Sequence, residues 1–303
     1  MEQSNKPGRI LLDCQRKTNR LIKGVLVAIG CGSCMACRIR QKNLMSHRVT
    51  WEFKHGYNGK FLTLTYSPEN LPHVEIIDES TGEVISHETL VKKHLKSYMH
   101  RIHKLDRLAR QKNPIPGLGK MLYYATGENG EENQRPHYHA IILNIHPDVV
   151  PKLETTWAKG IAQVDNIKNG GIDYIISDQI KQYGLKFPEP VQSSFRLISK
   201  GLGQSYVDKL GQYHKDHNMN YIPLPKCKKM PLPKYYEKKI FPEKTFNRST
   251  YLLNKIKLQK LSDQSDIEII RQGYKDAIHY QEEFEARAKR TKKFFKSSRS
   301  RNL

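Results

Sequence analysis

The run RPHYHAIIL, Arg135 to Leu143, limits the folds open to this chain more than any other stretch. It sets two histidines one residue apart and leads straight into apolar β-formers. In a strand, successive side chains point to opposite faces, so His137 and His139 share one face and Tyr138 takes the other. MLYYATGE, Met121 to Glu128, has the same strand character, and the polar NGEENQRP between the two reads as a turn-forming loop. The pair is expected to form an antiparallel hairpin. Glu128 ends the first strand, where antiparallel pairing brings its carboxylate near His137 or His139.

Two imidazoles on one face can present nitrogens to one divalent ion, and a mononuclear site usually takes a third protein ligand. A His–His–carboxylate set with open positions suits Mg2+, Mn2+ or Zn2+ acting as a Lewis acid on a phosphoryl oxygen. His-x-His alone is more often surface or packing than ligand. The hairpin and the carboxylate give it weight.

KFLTLTY, Lys60 to Tyr66, is rich in β-branched and aromatic residues and stops at SPENLP, a strand and a turn. Leu21 to Gly30 is a short apolar segment. Helical spacing of apolar residues runs from about Arg38 to His55 and again from His87 to Lys112, where Leu95, Tyr98, Met99 and Ile102 share an inner side. Val149 to Lys159 reads as a helix, GIAQVDNI as a strand and Gly171 to Lys186 as a helix. That order predicts an α+β fold, an antiparallel sheet with helices packed on one face in the ferredoxin-like manner. The expected organisation is a Cys-rich N-terminal segment and helix over residues 1–55, then the sheet-bearing core over 56–200. A basic Pro-rich extension follows over 201–245, and a basic helical tail over 246–303.

Lys and Arg number 52 and Asp and Glu 30, a formal net charge of +22. An excess spread along the chain suits a polyanion, and nucleic acid comes first because phosphate neutralisation supplies most non-specific affinity. A solvated basic surface or a ribosome-associated protein would show the same charge. No run of about 18 apolar residues occurs and the N-terminus MEQSNKPGR is polar, so neither a membrane span nor a secretory signal is expected. The expected location is cytoplasm.

Three of the five cysteines cluster in CGSCMACR. Cys31, Cys34 and Cys37 at three-residue steps, with Cys14 upstream, fit a tetrahedral four-thiolate zinc site in a reducing compartment. The spacing is not the paired CxxC…CxxC of common zinc modules. Three buried free thiols capping the helix near Arg38 are the plain alternative. An iron–sulfur cluster is less favoured, since nothing else speaks of redox work.

KFLTLTY with SPENLP, and GENGEENQRPHYHAIILN, resemble motifs of rolling-circle replication initiators. More narrowly, they are similar to those of the replication initiators of gokushoviruses, a branch of the microviruses with small single-stranded DNA genomes. CGSCMACR, SKGLGQSYVDK and LPKYYEKK fit the same family's pattern in order, so the resemblance spans roughly Cys31 to Lys238, about two-thirds of the chain. It implies an HUH endonuclease within residues 56–200. Such an enzyme has a palm sheet, a divalent metal (Mg2+ or Mn2+) on His137 and His139 with Glu128 as third ligand, and a tyrosine that attacks DNA.

The family's tyrosine motif reads Tyr, three residues, Tyr, two residues, Lys. Tyr174 and Lys181 fit it without a gap, with Asp178 standing at the second Tyr position. A gapped reading takes Tyr183 and Lys186 as the second half. Positions four and seven apart share a helix face, which favours Tyr174 as nucleophile over Tyr183. The implied reaction is site-specific cleavage of single-stranded DNA at a replication origin, leaving a 5′-phosphotyrosine bond and a free 3′-hydroxyl. Reverse attack by a new 3′-hydroxyl rejoins the strand, and no GxxxxGK[ST] run is present to bind ATP. The implied partners are single-stranded DNA, the origin, and a helicase and polymerase supplied by a bacterial host, in its cytoplasm.

A non-enzymatic zinc-containing nucleic-acid-binding protein would share the charge and the cysteines. It has no need of histidines opposite Glu128. Tyr235 and Tyr236, between lysines, could stack on DNA bases or pack half-exposed.

Overall fold

The computed structural model describes residues 14, 18–22, 25–78, 80–130, 135–168, 170–181, 187–224 and 228–242. They divide into two compact units: Ser46–Ser205, and the described parts of Met1–Met45 with Tyr206–Leu303. In chain order the elements begin with β1 (Thr18–Ile22), β2 (Val25–Ile29), α1 (Met35–His55), β3 (Gly59–Tyr66), β4 (His73–Ile77) and β5 (Val84–Glu88). Next come α2 (Lys92–Lys112), β6 (Leu122–Asn129), β7 (Pro136–Leu143), α3 (Lys152–Thr155), β8 (Gly160–Asn166) and α4 (Gly171–Lys181). The last are β9 (Phe195–Ile198), α5 (Gln204–Asp216), β10 (Tyr221–Leu224), β11 (Lys228–Pro231) and α6 (Lys234–Ile240).

Five strands form one antiparallel sheet in the order β8-β3-β7-β6-β9. Alternation in the two inner strands explains its layering. Leu62, Leu64 and Tyr66 of β3 and Tyr138, Ala140 and Ile142 of β7 are buried on one face. There they pack with Leu95, Tyr98, Met99 and Ile102 of α2, whose spacing of three and four makes one helix stripe. Trp157 is fully buried among Tyr66, Tyr98 and Tyr138, with ring centroids 5.5, 5.8 and 5.7 Å away. Its indole N–H donates to the Thr65 carbonyl at 2.9 Å. Removing a ring of this size from water contributes on the order of 3 kcal/mol.

The α+β class and the antiparallel sheet are those expected. The helices, however, are divided between the two faces rather than gathered on one. α2 covers the Tyr138 face, and α4 lies against β6 and β7 on the histidine face.

Two helix boundaries also differ from the sequence reading. α2 starts at Lys92, not His87, because residues 84–88 pair with β4 and the backbone of Val91 is held by a side chain. The Tyr138 hydroxyl accepts the Val91 N–H at 2.9 Å and donates to the Val91 carbonyl at 3.1 Å. The helix expected over Val149 to Lys159 shrinks to a 3-10 turn and the four residues of α3, ending where Ala158 takes a φ of 50°.

In the other unit, Tyr236 is fully buried and stacks on Tyr206 with centroids 4.3 Å apart and 3° between planes. It is core, which removes it from base stacking. The tail over 246–303 lies outside the described residues, as do Tyr183 and Lys186.

Candidate active site

The register of the sheet lays polar side chains in two rows on the face opposite Tyr138. One row runs Gln163, Thr63, His139, Thr126, Arg196 across β8, β3, β7, β6 and β9. The next runs Ile161, Thr65, His137, Glu128. Directly opposed residues in antiparallel strands share a face, so the hairpin sets Glu128 beside both histidines. Gly127 is what lets β6 pass here. A Cβ on it would stand 2.9 Å from the Phe195 ring and 3.0 Å from the Tyr138 ring, on the side away from Glu128.

The three expected ligands are brought together. Glu128 Oε1 lies 3.0 Å from His137 Nε2 and 3.1 Å from His139 Nε2. Glu128 and His139 are buried and His137 is half-buried. Each ring is held from behind: His137 Nδ1 meets the Arg135 carbonyl at 3.0 Å, and His139 Nδ1 meets Thr63 Oγ1 at 3.1 Å. A carbonyl only accepts, so His137 Nδ1 carries a proton and, in the neutral ring, Nε2 presents a lone pair to a carboxylate oxygen. Two lone pairs that close repel unless a second proton or a cation lies between them.

A divalent ion fits that arrangement. Donors about 2.0–2.2 Å from one ion and in cis or tetrahedral relation stand roughly 3.0–3.5 Å apart. The two N–O separations match, and outer partners that fix ring tautomers are the usual support of such ligands. The ligand atoms of Glu128, His137 and His139 all lie within 4.8 Å of one another, as do those of Cys14, Cys31, Cys34 and Cys37.

Tyr174 lies in the first turn of α4, with its ring edge-on to that of His139 at 5.7 Å. Phe61 flanks the same imidazole at 5.6 Å. Ser46 Oγ donates to Asp173 at 2.6 Å beside it. Lys181 closes α4, and its side chain, like that of Asp178, lies outside the described residues.

The sequence reading missed Thr63 and Arg196. Alternation in KFLTLTY could have found Thr63, since Leu62 and Leu64 claim the other face. Arg196 is exposed on β9, a four-residue strand whose sequence carries no comparable signal.

The geometry defines an α+β protein with a His–His–Glu cluster and a neighbouring tyrosine on one face of an antiparallel sheet. Residues 59–183 match the family described as replication-associated protein ORF2. A curated relative is replication-associated protein VP4 of Bdellovibrio phage phiMH2K, 24% identical over 246 residues, 72% of this chain and 70% of the relative. Replication-associated protein ORF2 of Spiroplasma virus 4 is 23% identical over 233 residues, 70% of this chain and 68% of that one. These matches bear out the resemblance to replication initiators of the microvirus type.

Among solved structures, the nuclease domain of minute virus of mice non-structural protein 1 aligns with 59% of this chain and 82% of its own. It does so at 11% identity and a TM-score of 0.19, and carries no argument about fold or activity.

Proposed function

We propose that this chain is a site-specific single-stranded DNA endonuclease and strand transferase that starts rolling-circle replication of a small phage genome. One observation carries the reading: two imidazole Nε2 atoms converge on one carboxylate oxygen, with the Tyr174 ring against His139. The cluster lies inside the stretch that matches replication-associated proteins.

Mg2+ or Mn2+ held by Glu128, His137 and His139 would supply Lewis acidity toward a phosphate oxygen. The phenolic oxygen of Tyr174 attacks the phosphorus, and a new O–P bond forms as the bond to the 3′-oxygen breaks. The phenol loses its proton and the 3′-oxygen gains one. The products are a 5′-phosphotyrosine bond and a free 3′-hydroxyl, and reversal with another 3′-hydroxyl rejoins DNA. No bond energy is lost, so no nucleotide cofactor is needed. A phenol with pKa near 10 needs help to ionise as it attacks. Lys181, about two helical turns along α4, is the candidate for that charge, with Lys186 as the alternative if Tyr183 is the nucleophile. Arg196, at the end of the His139 row, offers a phosphate contact. Host helicase and polymerase would act on the 3′-hydroxyl.

The test is incubation with a labelled single-stranded oligonucleotide carrying a candidate origin, with Mg2+ or Mn2+, followed by a denaturing gel and peptide mapping. A covalent protein–DNA species is expected; Tyr174→Phe abolishes it and Tyr183→Phe leaves most of it. DNA mapped to Tyr183 would move the nucleophile. Cleavage without attachment would mean a phosphodiesterase that uses water. Binding with no cleavage would return the chain to a non-enzymatic nucleic-acid-binding role.

A further inference from the structure

We infer that Cys14, Cys31, Cys34 and Cys37 hold a single zinc ion in a closed four-thiolate site, chemically distinct from the histidine cluster. All four sulfurs lie within 4.8 Å of one another, and Cys34 Sγ is 3.8 Å from Cys14 Sγ. With Zn–S bonds of about 2.3 Å, the edge of a thiolate tetrahedron is about 3.8 Å. A disulfide would need the sulfurs about 2.0 Å apart and would leave two thiols over. An iron–sulfur cluster, whose own atoms fill the space between its thiolates, needs cysteines set farther apart than these.

The local chain is built to carry thiolate charge. The Cys31 N–H donates to Cys14 Sγ at 3.2 Å, and the Cys34 N–H donates to Cys31 Sγ at 3.3 Å. Gly32 supplies the left-handed turn between them, with a φ of 80°. Arg38 Nε donates to the Ser33 carbonyl and Gln41 Nε2 to the Gly32 carbonyl, each at 3.0 Å, so α1 braces the loop from its own first turns. A Cβ on Gly30 would sit 2.8 Å from Cys37 Sγ, so that close approach requires glycine. Cys34 and Cys37 stand at the N-terminus of α1, where the helix dipole favours negative charge.

Packing points to the role. The buried cluster here consists of Cys14, Cys34, Ala36 and Cys37 with Cys31 against it. Cysteines thus supply most of what the segment has as a core, which an ion can hold and bare thiols hold poorly. Four protein donors fill a zinc tetrahedron and leave no place for substrate, so the ion is structural.

The test uses the full-length chain, purified reduced and dialysed against EDTA, with bound metal measured by mass spectrometry. One zinc per chain is expected, retained in the Glu128→Ala/His137→Ala/His139→Ala variant and lost in Cys31→Ser/Cys34→Ser. Because the cysteine variant could fail to fold, Co2+ is also exchanged into the wild-type protein. The intense visible bands of tetrahedral thiolate-bound Co2+ are expected. Folded, reduced protein without zinc, zinc that leaves with the histidine variant, or iron with acid-labile sulfide would each overturn the inference. None of these readouts depends on DNA cleavage.

Discussion

The histidine cluster and the cysteine cluster each gather metal-binding side chains, and they do so by opposite means. At the cysteines, three of four donors lie within seven residues, the fourth is Cys14, and the sulfurs turn inward on one another. At the histidines, donors come from two strands whose register places Glu128 opposite His137, and from a third strand that holds His139 through Thr63. The first set closes on itself. The second has three protein donors and a tyrosine beside them, the pattern of a site that leaves room for a substrate. Local sequence suffices to make a staple, whereas a reactive site draws on the accuracy of a sheet.

The largest expected effect divides the two directly. His137→Ala/His139→Ala should lower cleavage by about 10³-fold or more, since the ion's contribution to the transition state is several kcal/mol. Fold, cysteine-bound zinc and bulk DNA affinity should persist, because distributed lysines and arginines set that affinity. Cleavage rates and the salt dependence of binding, measured on the same preparation, check this. Cleavage that survives would erase the distinction between the two clusters.

A smaller effect sharpens it. Thr63→Val keeps a β-branched side chain on β3 and removes the hydroxyl 3.1 Å from His139 Nδ1. Loss of an outer partner of this kind typically costs about 10–100-fold in metal affinity or activity. The Mn2+ concentration that half-saturates cleavage should rise by that order. An unchanged titration would mean that Phe61 and Tyr174 orient the ring by packing alone.

The sequence was most readable where burial is one-sided. Leu62, Leu64 and Tyr66 alternate with Lys60, Thr63 and Thr65 because one face of β3 meets α2. The β6–β7 hairpin and its His–His–Glu face followed from the same period. The β4–β5 hairpin gave no such signal: Ile77, Val84 and Ile85 are exposed, so nothing selects an alternating pattern there. The start of α2 and the short α3 were misread because tertiary partners override spacing. Tyr138 takes the Val91 backbone, and Trp157 leaves the helical path to pack beneath the sheet. The polar face of β9 was invisible for a related reason, since four residues are too few to show a period.

The smallest expected effect concerns Tyr138, which sits between the two histidines in sequence and on the opposite face from them. Its hydroxyl donates to the Val91 carbonyl, so it must accept from Tyr66, whose oxygen lies 2.6 Å away. Tyr66 in turn can only accept from His94 Nδ1 at 2.7 Å, which gives that nitrogen a proton. Burial, and then the Tyr138 contact, pushes the Tyr66 phenol far above its ordinary range, so the chain of donors keeps its protons. Burial, and then Lys159 and Lys93, lower the His94 pKa. An unfolded histidine binds its proton near pH 6.5, so this contribution to stability is present above that pH and lost as pH falls through the lower folded value. Tyr138→Phe removes the middle of the network and leaves the Val91 N–H and carbonyl without their partner. The expected cost is about 2 kcal/mol, read from the urea midpoint, with cleavage per folded molecule unchanged because no donor on the histidine face is touched. A fall in cleavage at full stability would show that this network sets the pitch of β7 at the histidines, joining the buried face to the reactive one.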